Sequence, residues 1–296
     1  MDPIIFRIPG TNFALHWYGL IMAVGIIVAG WVAEWGVRQR GEDGEHVWEL
    51  LVWAAPAGII GARLWYVAND ILGGGTYYLN NPLKTFAMWE GGLHFYGAVL
   101  FGAVAGYFYV KKNNLDFLLV LDAAAPALLV GQALVRPANF INQELYGPPT
   151  DLPWGISIDA AHRLAPWDNL ALYPLETTRF HPTFAYEMLW NLLATGILLW
   201  LALEFKKRIK PATIFAGWLI LEGFGREIIE FFRPDQPRIP GTEISYSRIA
   251  AGVMIVVGVI WLLIKYEVIK VPFWDSGRDD YQLSPGAPGA GSQSGS

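Results

Sequence analysis

Five polar side chains fall within nine positions, shortly after an apolar run that is long enough to lie in a membrane. The apolar run covers residues 117–130. The polar residues that follow it are Arg136, Asn139, Asn142, Gln143 and Glu144. A charged side chain at bilayer depth is costly, so such residues usually face an interior cavity and have a function. Pro137 removes a backbone N–H and disfavours helical geometry at Arg136. We therefore expect the helix to break here and to direct an arginine and two amides into a polar cavity.

A second group of charged residues ends a later apolar segment. Arg226, Glu230 and Arg233 are spaced i, i+4 and i+7, which predicts that they share one helical face. The guanidinium groups of Arg136 and Arg226 can each bind two phosphate oxygens. The alternative is a network of Glu–Arg pairs that only packs helices together. Four polar groups of this kind lie near the same ends of four predicted spans, which favours a shared ligand site.

Three other short motifs begin predicted spans. Tyr18 lies in a His-Trp-Tyr-Gly run, where it serves either a ligand or the aromatic belt at the membrane interface. His94 and Tyr96 follow two glycines; they are either proton carriers or part of a glycine-rich helix start. His181 precedes Glu187, a carboxylate inside an apolar run that either serves a ligand or pairs with a cation between helices. From physics alone, the ligand should be anionic and amphiphilic, as a phospholipid headgroup is.

The elements that position these residues are membrane helices. The chain is 54% hydrophobic and 16% charged, whereas soluble proteins carry about 25% charged residues. We predict an all-α polytopic membrane protein with about seven spans, each near the ~20 residues that a bilayer requires. The spans cover residues 15–37, 47–67, 91–110, 117–141, 182–205, 212–231 and 246–264. The first is long enough to be a transmembrane helix and not a removable signal peptide.

Basic residues indicate the orientation of the spans. Ten lysines and arginines fall on one side and six on the other, and the richer side is normally cytoplasmic. The N-terminus is then outside and the C-terminus cytoplasmic. Residues 1–270 are predicted to form one transmembrane catalytic domain with a small periplasmic or extracellular cap built from 69–90 and 146–181. Residues 271–296 are predicted to be a cytoplasmic tail, disordered from 284 because of its Gly/Pro/Ser-rich composition.

Several classes of chemistry have no support in the sequence. The chain has no cysteine, which excludes disulfides and a cysteine nucleophile. It shows no cluster of metal ligands, no nucleotide loop, no serine elbow and no nucleic-acid motif, so we expect no metal, no cofactor and no nucleic-acid partner. Any nucleophile must come from a substrate, from water, or from a histidine or carboxylate.

Taken together, the motifs resemble the prolipoprotein diacylglyceryl transferases of bacteria. The block Arg-x-x-Asn-Phe-Ile-Asn-x-Glu at 136–144 is highly specific, and the resemblance extends to about residue 270. The segments that carry it are 16–20, 61–63, 90–97, 131–147, 181–187 and 225–235.

The resemblance implies an activity in the bacterial cytoplasmic (inner) membrane. A diacylglyceryl group leaves phosphatidylglycerol and forms a thioether with the lipobox cysteine of a prolipoprotein signal peptide. Glycerol phosphate is released. This is the first step of lipoprotein maturation, and it uses a nucleophile that belongs to the substrate. No metal or cofactor is implied.

The resemblance also implies roles for individual residues. Arg136 and Arg226 are the expected catalytic arginines, and Tyr96 and His94 are the candidates for proton transfer. Besides Arg136, the expected substrate-binding residues are Tyr18, Asn139, Asn142, Glu144, Gly147, His181, Glu230 and Arg233.

The chain departs from the family pattern at three places. Many members have Gly-Arg-x-Gly-Asn where this chain has residues 135–139 with Val135 and Ala138. Some have a histidine at Tyr96; the nearest imidazole here is His94, and two residues apart on a helix point in different directions, about 200° apart. Arg248 stands where an uncharged residue is expected.

Two other classes of function compete with the transferase. A membrane transporter or channel for an anionic or lipid-like ligand predicts polar residues that continue to the cytoplasmic face, whereas residues 194–203 and 253–263 are apolar. A membrane scaffold predicts that Arg136→Gln affects stability alone.

Overall fold

The structure is a computed structural model that describes residues 3–7, 10, 14–88, 91–233, 236–270 and 278–290. Within these residues the chain is mostly helical. A short antiparallel hairpin, which the sequence did not predict, joins β1 (Ile4–Arg7) to β2 (Ala14–His16). The α-helices are α1 (Trp17–Gln39), α2 (Glu45–Leu72), α3 (Tyr77–Asn80), α4 (Phe95–Lys112), α5 (Phe117–Ile141), α6 (Thr183–Glu204), α7 (Thr213–Glu230) and α8 (Tyr246–Lys265).

Among the described residues, five helices are long and apolar enough to cross a membrane. They are α1, α2, α5, α6 and α8. Helices α4 and α7 have 18 residues each and do not belong to this set. The prediction of a mostly helical membrane protein is confirmed at this level, whereas the count of seven spans and their orientation stay predictions.

The predicted helix break at Pro137 is wrong. Helix α5 continues through Pro137 to Ile141. A proline inside a helix removes one N–H, here the partner of the Ala133 carbonyl, and such a loss is tolerated in membrane helices that neighbouring elements cover. Ala133 and Ala138, on either side of it, are fully buried. The chain leaves the helix only after Ile141, where Gln143 has a φ of 51°.

Two compact units are present, and the first comprises residues 1–32 and 121–280. In this unit α5, α6 and α7 share a small apolar core. Its buried residues are Ala125, Leu129, Ala194, Leu198 and Ile214. Helix α8 packs on α7, and α1 lies against α5 at Gly25, where an added Cβ would be 3.4 Å from the carbonyl oxygen of Gly131.

A buried carboxylate fixes the start of α7. Asp122 on α5 is fully buried, and its two oxygens accept the backbone N–H groups of Ala212 at 2.6 Å and Phe215 at 2.7 Å. These N–H groups have no partner inside α7, because they belong to its first turn. The negative charge also lies at the positive end of the helix dipole. Asp122 therefore ties α5 to the N-terminus of α7.

The segment between α5 and α6 has its own apolar core. Tyr146, Ile158, Trp167 and Phe180 are buried against one another. Arg163 is buried beside them and donates to the carbonyl oxygens of Ile158 and Tyr173. Although the segment is long, these contacts give it a fixed shape.

The second unit comprises residues 33–120 and 281–296, and its helices α2 and α4 pack closely. A Cβ at Gly97 would overlap the carbonyl oxygen of Gly61, so this approach requires glycine at both positions. Arg63 on α2 is buried and donates to the carbonyl oxygens of Lys84, Thr85 and Gly91. It thereby holds the loop that precedes α4.

Part of the C-terminal segment is also described in the second unit. The Ser284 hydroxyl donates to Glu42 at 2.7 Å, and its backbone N–H donates to the other oxygen of Glu42 at 2.8 Å. The Gln282 N–H donates to Asp116 at 2.8 Å. The composition of residues 284–290 does not predict these contacts. The predicted boundaries of a catalytic domain at 270 and a disordered tail from 284 stay predictions.

Candidate active site

Three helices of the first unit each carry a polar stripe at helical spacing. The stripes meet, because side chains from different helices are bonded to one another across them. The residues are Gln132, Arg136 and Asn139 on α5, Glu187, Asn191 and Thr195 on α6, and Glu222, Arg226 and Glu230 on α7. An otherwise apolar bundle therefore encloses a polar network.

An ion pair lies at the centre of this network. Arg136 Nη2 is paired with Glu187 Oε1, and Arg226 Nη1 lies 3.9 Å from the same oxygen. The side chains of Arg136 and Glu187 are largely buried. Arg136 Nε and Glu187 Oε2 are screened from solvent and have no hydrogen-bond partner among the described residues. The site thus has unused donor and acceptor capacity beside two permanent cations.

Other side chains orient the second arginine. Arg226 Nε donates to the Ser247 hydroxyl of α8 at 2.7 Å, and Nη2 donates to Gln236 Oε1 at 3.3 Å. Because Nη1 is directed to Glu187, the guanidinium plane is fixed by groups from three segments of the chain. Of the two alternatives that the sequence left open for Glu187, the structure shows the ion pair with a cation between helices, and a role in ligand binding stays a prediction.

The 136–144 block forms one cluster, because its side chains are hydrogen-bonded to one another. Arg136 Nη1 donates to Asn139 Oδ1 at 3.3 Å. Asn139 and Asn142 both donate to Glu144 Oε1, at 2.9 and 3.3 Å. Tyr18 of α1 lies close enough to Arg136 and Glu144 to experience both charges. Four of the predicted substrate-binding residues therefore surround Arg136.

Close packing around Gly147 leaves little room for a side chain at this position. Its N–H donates to the His181 carbonyl at 2.9 Å, and an added Cβ would lie 2.7 Å from Thr183 Oγ1 and 2.9 Å from the Phe232 carbonyl oxygen. His181 Nδ1 lies 3.0 Å from the Tyr186 hydroxyl. Burial lowers the pKa of His181, so the neutral imidazole is favoured.

Arg226 and Glu230 share a helical face as predicted, whereas Arg233 does not. Helix α7 ends at Glu230, and Arg233 is buried in the segment that follows. Helical spacing therefore does not apply to it. Glu230 Oε2 is buried and, in the part of the chain that is described, has no partner. Pro234 and Asp235, the last residues of this motif, lie outside the described residues.

His94 and Tyr96 belong to the second unit. The expectation that they point in different directions is wrong, because α4 begins at Phe95 and His94 has an extended backbone. Their rings stack at 5.4 Å. Within the described chain, the buried His94 Nδ1 has no hydrogen-bond partner, whereas Tyr96 is 65% exposed. Trp89 and Glu90 of the same motif lie outside the described residues.

Sequence reasoning missed several members of the network. Gln132, Asn191 and Glu222 each lie four residues from a noted site residue, so an extension of each helical stripe by one turn would have found them. Ser247 and Gln236 carried no such signal. Arg248, for which the sequence offered no explanation, pairs with Glu227 at 3.1 Å on the neighbouring helix.

Comparisons with known proteins show the family of this chain. Residues 3–264 match the family described as prolipoprotein diacylglyceryl transferase. The phosphatidylglycerol–prolipoprotein diacylglyceryl transferase of Chloroflexus aggregans is 36% identical over 79% of this chain and 78% of its own length. The proteins of that name from Synechocystis sp. and Lysinibacillus sphaericus are 34% and 35% identical, each over 92% of this chain and over 92% and 94% of their own lengths. The chain therefore belongs to the prolipoprotein diacylglyceryl transferase family.

Proposed function

We propose that this protein transfers the diacylglyceryl group of phosphatidylglycerol to the thiol of the lipobox cysteine in a prolipoprotein signal peptide. The product is a thioether, and glycerol phosphate is released. The names of the relatives support both substrates. A nucleophile on the substrate also suits a chain that has no cysteine.

One observation carries the proposal. Arg136 and Arg226, from α5 and α7, converge on a single oxygen of Glu187. Two guanidinium groups that share one oxyanion form a site for an anion with several oxygens, and a lipid phosphate has that chemistry. Apolar side chains such as Leu189 and Phe224 are exposed on the outer faces of α6 and α7 and suit the acyl chains.

In the proposed reaction, this site stabilises the negative charge that develops on the leaving group. The substrate sulfur forms a bond to the glycerol carbon that carries the phosphate, and the C–O bond breaks. Its electron pair moves to the phosphate oxygen, where Arg136 and Arg226 stabilise the growing charge. Asn139, Glu144 and Tyr18 would bind the glycerol headgroup. A thiol with a pKa near 8.5 needs only modest help to ionise, and a role of His94 or Tyr96 in proton transfer stays a prediction.

The remaining residues of the site would support and extend the surface that binds the headgroup. Asn142 would support Glu144, with which it shares a hydrogen bond, and Gly147 and His181 would fix the loop beside the headgroup. Glu230 and Arg233 would extend the charged lining from the end of α7.

We also propose seven spans, with α4 and α7 added to the five apolar helices. Each has 18 residues and is about 27 Å long at 1.5 Å per residue, close to the thickness of a bilayer core. The distribution of basic residues supports an external N-terminus and a cytoplasmic C-terminus in the bacterial inner membrane. The 146–181 segment would then be the external cap.

The transporter alternative is not favoured. A pathway for an anion would need polar side chains along the whole bundle, whereas Leu129, Leu198 and Ile214 fill the bundle on the side proposed to face the cytoplasm. The polar stripes therefore end inside the protein, as expected for a site that binds a ligand from one face.

A direct test mixes the purified protein, in micelles that contain phosphatidylglycerol, with a peptide that carries a lipobox. Mass spectrometry should show a gain of one diacylglyceryl group that a Cys→Ser peptide lacks. Absence of the product, with lipid binding demonstrated, would contradict the transferase proposal and return weight to transport.

A further inference from the structure

Glu222 is a partly buried acid that has no role in the proposed reaction. It lies on α7, one helical turn before Arg226. Its Oε2 atom is screened from solvent and has no hydrogen-bond partner among the residues that the structure describes. A buried acceptor of this kind is costly unless it is protonated or has a ligand. Its position beside the arginine pair makes a role in the site the stronger explanation.

One neighbouring side chain reaches Glu222 across the bundle. The Gln132 side chain of α5 lies close enough to its carboxyl group to interact with it. The Gln132 carbonyl oxygen accepts from Asn191 Nδ2 of α6 at 3.2 Å, so the Gln132 amide nitrogen is the group that can donate to Glu222. Oε2 of Glu222 has no hydrogen-bond partner among the described residues and is available for another group.

The charges around Glu222 come from all three helices of the network. They are Glu187 on α6, Arg136 on α5 and Arg226 on its own helix. Among the groups that act directly on Glu222, two arginines face two carboxyl groups, Glu187 and Glu222 itself. A phosphodiester would add one further negative charge to an enclosed site, where an uncompensated charge is strongly disfavoured. A proton on one carboxyl group would remove this excess charge. Glu187 is paired directly with Arg136, whereas Oε2 of Glu222 has no hydrogen-bond partner among the described residues, so Glu222 is the better candidate for the proton.

We propose that Glu222 carries a proton while the lipid is bound and donates it to the departing phosphate oxygen. This inference rests on the proposed function. As the sulfur–carbon bond forms and the carbon–oxygen bond breaks, the O–H electron pair stays on Glu222 and the proton moves to the phosphate. The thiol proton is released to water, and Glu222 is protonated again by water after glycerol phosphate leaves. Glu222 is then a catalytic acid, and Gln132 is its positioning residue.

Glu222→Gln separates the effect of the proton on lipid binding from its effect on transfer, because glutamine is neutral and has the shape of the protonated acid. Affinity for phosphatidylglycerol should stay equal to the wild type at low pH. The affinity of the Glu222→Gln variant should persist as the pH rises, whereas the wild type loses affinity as Glu222 ionises. Single-turnover transfer to a lipobox peptide should fall by about 10²-fold or more, as expected when a general acid is removed. Glu227→Gln on the same helix, whose partner is Arg248, is the matched control and should leave both unchanged.

Two results would overturn the inference. The first is wild-type transfer by a folded Glu222→Gln variant. The second is loss of lipid binding together with transfer, which would give Glu222 a structural role. If the variant does not fold, the wild-type protein alone still tests the proposal. An affinity for phosphatidylglycerol that stays constant between about pH 6 and about pH 9, where buried glutamates can titrate, would contradict it. Failure of the proposed function itself is distinguishable, since the wild type would then form no lipidated peptide.

Discussion

Arg136 and Arg226 belong to different helices, yet both guanidinium groups are directed at one atom, Oε1 of Glu187. In the proposed function, a phosphate oxygen would join Glu187 beside the two guanidinium groups. The same contact therefore stabilises the bundle and pre-organises the anion site, and experiments must separate these two effects.

Arg136→Gln should remove transfer and also destabilise the protein. Glu187 would keep a buried charge without its main partner, which typically costs about 3–5 kcal/mol. The double variant Arg136→Gln/Glu187→Gln should recover most of that stability and still lack transfer. Thermal unfolding in detergent and the peptide assay measure the two effects. Wild-type turnover in the double variant would refute the phosphate role of Arg136.

Arg226→Lys should lower kcat/KM by about 10²-fold or more even though the charge is kept. A lysine has one nitrogen and cannot bond Ser247 and Gln236 while it also faces Glu187. The loss of an oriented donor at a developing oxyanion has this size in other enzymes. Arg248→Lys, on the neighbouring helix, is the control and should retain activity. Equal activity of the two variants would mean that charge alone is sufficient at Arg226.

Gly147→Ala should destabilise the protein by about 1–3 kcal/mol, because the new methyl group would be forced against Thr183 Oγ1 and the Phe232 carbonyl. Gly196→Ala in α6 meets no atom within 4 Å and should be neutral or slightly stabilising. Thermal unfolding of the two variants makes the comparison. A fully stable Gly147→Ala variant that binds no lipid would instead show that this glycine contacts the substrate.

His181 should make stability depend on pH below neutrality. Burial lowers its pKa in the folded protein, so the unfolded chain binds the proton more readily. The contribution is complete above the unfolded pKa, about 6.5, and is lost as the pH falls from there through the folded pKa. In His181→Gln the unfolding midpoint should decline less between about pH 7 and about pH 5. Parallel declines in the two proteins would assign the effect to other groups.

The sequence predicted the arginines and the amides of the site because a polar residue in an apolar run is conspicuous. It missed Glu222 and Gln132 because the helical stripes of Arg226 and Arg136 were not extended by one turn, and only the packing of α5 against α6 and α7 shows that these stripes meet. The break expected at Pro137 failed because tertiary contacts outweigh the loss of one backbone hydrogen bond. The relation of His94 to Tyr96 failed because it assumed that the helix begins before His94, whereas α4 begins at Phe95.

Helix α7 carries four charged side chains within nine positions, Glu222, Arg226, Glu227 and Glu230. Alone in a bilayer each of these charges would oppose insertion. The groups on α5 and α6 that face Glu222 and Arg226, and the Asp122 carboxylate that caps the first turn, precede α7 in the chain, whereas Arg248, the partner of Glu227, follows it. During synthesis the ribosome therefore delivers a prepared binding surface before the helix that depends on it, and a chain in which α5 or α6 fails to insert should be recognised by quality-control proteases at the stage when α7 emerges.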